Sequence, residues 1–256
     1  MKELDTKQLD DIIIAIDSVQ DFEVTKAISE FAKEKVLKVL SLQGFKRPDS
    51  ARAQEFMKNK TLMYELDKGQ FLVIYVVYEP DMNAMYRLLV PAKTKSGIIY
   101  VENTKENHSG FMSHFFDRFA QRTGECTIIQ RKKAIRRYLQ TDEFDSEWRI
   151  VAGREIDENK KSLITVHRNG VCLGINYKGH EIYKTFISYG MASNSQLKVI
   201  DAIKKFNVIQ KRYLALKEQQ STDPLSIREK EQWNHFSELL KNNSPTSEDL
   251  MAFDVE

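Results

Sequence analysis

The sequence predicts an α+β fold in which antiparallel strands form one or more sheets, helices pack on one side of them, and further helices flank the sheet at both ends of the chain. Apolar residues recur at three-and-four spacing in some stretches and form β-branched or alternating runs in others. The two kinds of stretch are segregated along the chain, which is typical of α+β proteins. Glycine and proline are scarce, at 10 and 5 of 256 residues, which favours long regular elements.

Residues 1–60 form the predicted N-terminal helical segment. Apolar side chains recur every three or four residues between Ile12 and Leu40, as on the buried face of a helix. Gly44 ends the second helix, and Asp49 or Ser50 is expected to cap a short third one.

Residues 61–190 form the predicted α+β core domain. Its first part is an antiparallel meander of β-branched and aromatic runs separated by turn residues. The four predicted strands are Leu62 to Leu66, Phe71 to Tyr78, Met85 to Val90 and Ile98 to Val101.

Two helices and three strands complete the predicted core domain. The helices run from His108 to Arg122, closed by Gly124, and from about Ile128 to Gln140. The strands are Glu147 to Arg154, Ser162 to Ile175 with a hairpin turn at Asn169-Gly170, and Ile182 to Tyr189.

A C-terminal helical pair is predicted over residues 191–241, with helices of about Ser195 to Gln219 and Leu225 to Lys241. Residues 242–256 form an acidic tail that we expect to be flexible. These helices and the tail are a candidate surface for a protein partner.

Composition restricts the function classes. The formal net charge is only +2, so any basic binding site must be local. Two cysteines, Cys126 and Cys172, exclude a disulfide scaffold and a multi-cysteine zinc site. Metal-binding motifs of the His-Glu-x-x-His or EF-hand type, Gly-rich phosphate loops and nucleophile elbows are not present in the sequence, so we expect no metal and no cofactor.

Neither a membrane span nor a targeting signal is predicted. The longest apolar run, Phe71 to Tyr78, has eight residues, whereas a bilayer-spanning helix needs about 20. The N-terminal residues Met1 to Asp5 lead into an acidic helix without the basic region or the small residues at a cleavage site that a signal peptide has. We therefore expect a cytoplasmic protein without a membrane partner.

One helix carries a pattern that suggests chemistry on an anion. His114, Arg118 and Arg122 fall at i, i+4 and i+8, which places them along one face, while the phenylalanines form a separate apolar stripe. A histidine can transfer a proton near neutral pH, and arginine matches phosphate oxygens. The alternative is structural: the arginines pair with Asp117, Glu125 or a carboxylate on a strand, and the histidine donates to a backbone carbonyl.

The following helix is strongly basic. Five cations occur without an acid between Arg131 and Tyr138, and Tyr138 is positioned as a base-stacking residue beside them. The predicted nucleic-acid-binding residues are Arg131, Lys132, Lys133, Arg136, Arg137 and Tyr138. The alternative interpretation is an ordinary solvated helix face.

The last predicted strand adds two candidate site residues, Lys184 and Thr185. Simple alternation would place Tyr183, Thr185 and Ile187 on one face of the sheet, and Lys184, Phe186 and Ser188 on the other. If the His/Arg helix packs across this sheet, Lys184 or Thr185 could reach a phosphate held by Arg118.

The stretch from His108 to Tyr189 resembles the toxin-type domains of the barnase and RelE-like RNase superfamily. The resemblance rests on a helix bearing His-x-x-x-Arg-x-x-x-Arg, a second helix, and a sheet that ends in a Lys-Thr strand. It implies metal-independent RNA cleavage through attack of the 2′-hydroxyl, with His114 as general acid or base. It also implies that Arg118 and Arg122 hold the scissile phosphate, aided by Lys184 and Thr185.

The chain is also similar to bacterial and phage proteins with a His-Phe-Phe-x-Arg segment, from which no activity is carried over. The sequence thus favours an RNA-binding protein, with endoribonuclease activity as its sharper form. The alternative is a regulatory or protein-interaction module without catalysis.

Overall fold

The computed structural model describes residues 4–58, 60–67, 70–78, 84–103, 108–124, 131–141, 155–167, 169–194, and residues 197, 200, 201 and 231. Within these ranges the chain forms five α-helices, nine strands and a short 3₁₀ helix. The fold is therefore α+β, as the sequence predicts.

The elements follow in the order helices, strands, helices, strands. The helices are α1 (Thr6–Gln20), α2 (Phe22–Leu42), α3 (Ala51–Met57), α4 (Ser113–Thr123) and α5 (Arg131–Thr141). The strands are β1 (Thr61–Asp67), β2 (Gln70–Tyr78), β3 (Ala84–Thr94), β4 (Gly97–Asn103), β5 (His108–Met112), β6 (Glu155–Asp157), β7 (Lys160–His167), β8 (Gly170–Tyr177) and β9 (His180–Ser188). The 3₁₀ helix spans Tyr189–Met191.

All nine strands of the described ranges belong to one sheet, in the order β1-β2-β3-β4-β5-β9-β8-β7-β6. The meander β1–β5 and the meander β6–β9 are each antiparallel. They are joined by a short parallel pairing of β5 with β9, which covers Ser109–Phe111 and Glu181–Tyr183. The sheet is therefore mixed, and mostly antiparallel.

Helices cover both faces of this sheet, so the prediction that they pack on one side is wrong. Alternate residues of β2 enter different cores: Leu72 and Ile74 face α1, whereas Val73 and Tyr75 face α4 and α5. The reason is visible in the run from Phe71 to Tyr78, which is apolar at successive positions. A strand of that kind buries both of its faces and needs a cover on each.

We call the two clusters the α1-side core and the α4-side core. The α1-side core includes Leu9, Ile12, Ile16, Val36, Leu72, Ile74, Leu88, Ile99 and Val101. The α4-side core includes Val73, Leu89, Tyr100, Phe111, Phe115, Phe116, Phe119, Ile135, Tyr138, Tyr183 and Phe186.

Several predicted boundaries are confirmed. Ser50 caps α3 by accepting a hydrogen bond from the Ala53 amide, and Gly124 ends α4 in the left-handed conformation at φ 75°. A hairpin joins β7 to β8 as predicted, but its turn is shifted: Asn169 is a turn residue, whereas Gly170 is the first residue of β8 and pairs with His167.

The segment His108–Met112, predicted as the start of a helix, is strand β5. Its residues pair with β4 on one side and, from Ser109 to Phe111, with β9 on the other. These tertiary pairings, which join residues far apart in the chain, outweigh the helical spacing. Gly110 suits this position, because a Cβ there would lie 2.5 Å from the Ile99 Cδ1 atom.

Part of the C-terminal prediction lies outside the described residues. The described positions Asn194, Leu197, Ile200 and Asp201 are helical, and Ile200 packs against β8 and β9 residues. The strand predicted at Glu147 to Arg154, most of the helical pair and the acidic tail are not among the described residues.

Among the described residues, every helix is too short or too polar to span a lipid bilayer.

Polar contacts attach α1 to the turn between β8 and β9. The Asp10 carboxylate accepts hydrogen bonds from Tyr177 Oη at 3.2 Å and Lys178 Nζ at 2.8 Å. The His180 ring nitrogen Nε2 lies 2.8 Å from Asp17 Oδ1. Lys178 holds the pKa of Asp10 below its usual value, chiefly through their hydrogen bond. These contacts orient the α1 layer relative to β9.

A β-bulge at Lys184 changes the faces of β9. Leu173 pairs with Thr185, but the next residue, Gly174, pairs with Tyr183, so Lys184 has no opposite residue. As a result Tyr183 and Phe186, three residues apart, both enter the α4-side core. The predicted alternation, which put Tyr183 and Phe186 on opposite faces, is therefore wrong.

Gly174 allows the bulge to form. A Cβ atom at this position would lie 2.1 Å from the Ile182 carbonyl oxygen, which is backbone and cannot move aside cheaply. We expect Gly174→Ala to lower the free energy of unfolding by about 1–3 kcal/mol, because the β8–β9 pairing must shift.

Chemical denaturation of the purified protein measures this effect. Gly190→Ala is the matched control, since a Cβ there meets no atom within 4 Å, and its effect should stay within about 0.5 kcal/mol. Equal stability of the two variants would contradict the assigned role of Gly174.

Candidate functional site

Helix α4 divides into a buried aromatic side and a polar stripe. Phe115, Phe116 and Phe119 are fully buried in the α4-side core. His114 and Arg118 are exposed, and Arg122 is half-buried. We call His114, Arg118 and Arg122 the His/Arg stripe; the aromatic anchor fixes the direction in which it points.

The stripe lies along β9 because β5 is short. The pairing of β5 with β9 ends at Phe111 and Tyr183, and the chain then enters α4 at Ser113. Among the described strands, none pairs with β9 beyond Tyr183 on this side. Backbone N–H and C=O groups at an unpaired strand edge cost free energy unless side chains or water form hydrogen bonds with them. Helix α4 lies where its side chains can form these hydrogen bonds.

Arg122 supplies such a contact. Its Nη1 atom donates to the Phe186 carbonyl oxygen, and it also lies 3.3 Å from Thr185 Oγ1. His114 makes a hydrogen bond with the backbone of Lys184. Two members of the stripe thus attach α4 to the part of β9 that β5 does not reach.

Arg118 differs from its two neighbours in the stripe. It is exposed, and its Nη1 atom donates to Gln121 Oε1 at 3.1 Å. Arg118 thus donates to a side-chain amide, whereas Arg122 donates to a hydroxyl and to a backbone carbonyl oxygen. Glu125, the other partner considered from the sequence, lies outside the described residues.

The structure brings the five candidate catalytic residues together. His114, Arg118 and Arg122 on α4 lie next to Lys184 and Thr185 on β9. Lys184 and Thr185 are each only 8% exposed, because α4 packs against β9 at this position. Their catalytic roles remain a prediction.

The electrostatics of this cluster favour a neutral imidazole. Although His114 is exposed at the surface, its ring is partly buried, and this partial burial lowers its pKa below the usual 6.5; the positive charges of Arg118 and Lys184 lower the pKa further. Asp117 and the hydrogen bond to the Lys184 backbone act in the opposite direction but do not cancel the effect. Burial, and then the positive charge of Arg118, also lower the pKa of Arg122 from its usual value.

Helix α5 presents a basic face to solvent. Lys132, Lys133, Arg136 and Arg137 are exposed, while Ala134, Ile135, Tyr138 and Leu139 are buried. The side chain of Arg131 is outside the described part of the structure. The basic face is therefore the outer side of a helix whose inner side belongs to the α4-side core.

Lys132 is partly held by the sheet. Its ammonium lies 3.8 Å from Glu65 Oε2 of β1 and 4.2 Å from the centre of the Phe71 ring of β2. Both groups of this ion pair are about half exposed, so solvent screens the attraction.

The prediction that Tyr138 stacks on a nucleic-acid base is wrong. Tyr138 is 1% exposed and is stacked on the His167 ring, with 5.1 Å between ring centres. Its hydroxyl oxygen lies 3.8 Å from Cys172 Sγ. Tyr138 follows Ala134 by four residues and Ile135 by three, so it lies on the apolar side of α5. There its side chain fills the α4-side core.

Charge is distributed unequally between the two helical layers. Helices α4 and α5 together contain seven lysines and arginines and one acid. Helices α1 and α2, on the other side of the sheet, contain five lysines and six acids. Among the described helices, α4 and α5 therefore form the more basic layer, and we call its exposed cations Arg118, Lys132, Lys133, Arg136 and Arg137 the α4–α5 surface.

Sequence reasoning missed a polar row inside the α4-side layer. Arg87 Nε of β3 donates to Glu102 Oε1 of β4, and each residue is only 2% exposed. On the neighbouring strands, Ser109 and Tyr183 donate to Glu181 Oε2 at 3.0 and 2.8 Å. Two sequence features could have indicated this row: Arg87 lies inside an otherwise apolar predicted strand, and Glu102 directly follows the next predicted strand.

Among the described residues, no group of three or more His, Cys, Asp or Glu side chains is arranged to hold a metal ion. Comparison of the chain with protein-family models, with curated proteins and with solved structures gave no match.

The pKa of His114 provides a direct test of this geometry. We expect an NMR titration to place it below 6.5, and Arg118→Gln to raise it by removing a nearby positive charge. The rise should be partial, because burial is the larger cause and is unchanged.

Lys133→Gln, which removes an exposed cation from α5, is the control and should leave the His114 pKa unchanged. If Arg118→Gln has no more effect than this control, the proximity of Arg118 to His114 is refuted.

Proposed function

We propose that the protein binds RNA through the phosphate backbone, using the exposed cations of the α4–α5 surface. The observation that carries this proposal is the concentration of four exposed cations within six residues of α5; helix α4, which packs against α5, adds the exposed Arg118. Phosphate contacts by lysine and arginine release counterions, and this effect supplies most of the affinity in sequence-independent binding.

The side chains that are exposed on α4 and α5 determine which part of the RNA they contact. The aromatic side chains of α4 and α5 fill the core, whereas the cations point to solvent. The surface therefore offers partners for phosphate oxygens, and contacts of that type position a nucleic acid without reading its sequence.

Metal-independent RNA cleavage is the second candidate function, and it is favoured by the state of His114. A neutral imidazole beside Arg118 and Lys184 can accept the proton of a 2′-hydroxyl while that oxygen attacks phosphorus. The bond to the 5′-oxygen then breaks, the leaving oxygen takes a proton from water, and a 2′,3′-cyclic phosphate remains. The nearby cations would stabilise the charge that develops on the phosphate.

RNA binding is tested by titrating labelled RNA with the full chain at increasing salt. We expect the double variant Lys133→Gln/Arg136→Gln to weaken binding about tenfold and to lower the salt dependence by about two released ions.

Lys33→Gln/Lys38→Gln is the matched control, since it removes the same charge from exposed positions of α2 on the opposite layer. An equal loss of affinity in both variants would show a general effect of net charge and would count against the α4–α5 surface.

Cleavage is tested by incubating the protein with RNA in the presence of a chelator. The expected result is fragments with 2′,3′-cyclic phosphate ends for the native chain, and at least about 100-fold slower product formation for His114→Gln. RNA binding by this variant serves as the folding control. Unchanged cleavage by His114→Gln would remove the catalytic role of His114.

A further inference from the structure

We propose that the ligand of the α4–α5 surface is a nucleic-acid duplex, contacted along helix α5 independently of its sequence. This inference rests on the proposed function and specifies the class of nucleic acid.

The density of cations on α5 supports a duplex. The six residues from Lys132 to Arg137 occupy about 9 Å of helix and carry four exposed cations. That is one positive charge per roughly 2.3 Å of helix. Double-stranded DNA carries one negative charge per about 1.7 Å of its axis, whereas each single strand carries one per about 3.4 Å. The spacing on α5 is therefore closer to the charge spacing of a duplex than to that of a single strand.

The arrangement of the cations gives two rows. Lys132 and Arg136 are separated by one helical turn, as are Lys133 and Arg137. The rows lie side by side on the exposed face, and Arg118 and Gln121 of the neighbouring helix α4 extend the surface laterally. A surface with hydrogen-bond donors in two parallel rows can contact phosphates of both strands of a duplex. A single strand needs only one row of donors along its backbone.

The position of the aromatic rings favours the same ligand. Proteins that bind single strands commonly combine a basic track with aromatic side chains on which the bases stack. In α4 and α5, Phe115, Phe116, Phe119 and Tyr138 are instead committed to the α4-side core. A duplex keeps its bases stacked inside and presents its backbone, which is the part that lysine and arginine contact.

The test compares four labelled ligands with the full chain: a duplex RNA, one of its strands alone, a DNA duplex of the same sequence, and polyglutamate. Titrations run between about 50 and 200 mM salt, and a second duplex of scrambled sequence measures sequence dependence. We expect the duplexes to bind about tenfold more tightly than the single strand, with equal affinity for the two sequences. The RNA and DNA arms show which duplex is preferred.

Lys133→Gln/Arg136→Gln should reduce this preference, because it removes one cation from each row, whereas Lys33→Gln/Lys38→Gln should retain it. Equal or tighter binding of the single strand would overturn the duplex assignment while leaving RNA binding intact. Binding of polyglutamate but of none of the nucleic acids would overturn both proposals.

Discussion

The parallel pairing of β5 with β9 is the constraint on which the remaining structure depends. Three residue pairs join two antiparallel meanders into one sheet, and the pairing stops at Phe111 and Tyr183. Beyond this point α4 lies beside β9, and Arg122 and His114 form hydrogen bonds with its backbone. The hydrogen-bonding requirement of a strand edge thus determines where the His/Arg stripe lies.

The two arginines of the His/Arg stripe have different roles in this arrangement. Arg122 is engaged by the Phe186 carbonyl and the Thr185 hydroxyl, so its position is fixed by the fold. Arg118 remains at the surface, where it lowers the pKa of His114 and adds to the basic region formed by α5. One helix therefore stabilises the sheet with one arginine and exposes a second arginine to solvent.

A sheet that is apolar on both faces needs a helical layer on each face, and here the two layers differ in charge. The α1–α2 layer has nearly balanced charge and is attached to the β8–β9 turn through Asp10 and Asp17. The α4–α5 layer buries its aromatic rings and exposes its cations. Because the sheet separates the two layers, the acids of α1 and α2 lie away from the cations of α4 and α5, so a chain of small net charge carries a locally basic surface.

The sequence by itself determined the element types over most of the described chain, because hydrophobic periodicity, Ser50, Gly124 and the Asn169-Gly170 hairpin act locally. It also determined which residues of α4 are candidates, because their spacing places them on one helix face. Only the tertiary structure decided that His108–Met112 is a strand, that helices cover both faces, and that Tyr138 lies in the core. These features depend on pairing and burial between segments far apart in the chain. The bulge at Lys184 depends likewise on the close approach of Gly174 and Ile182, which no local pattern in β9 reveals.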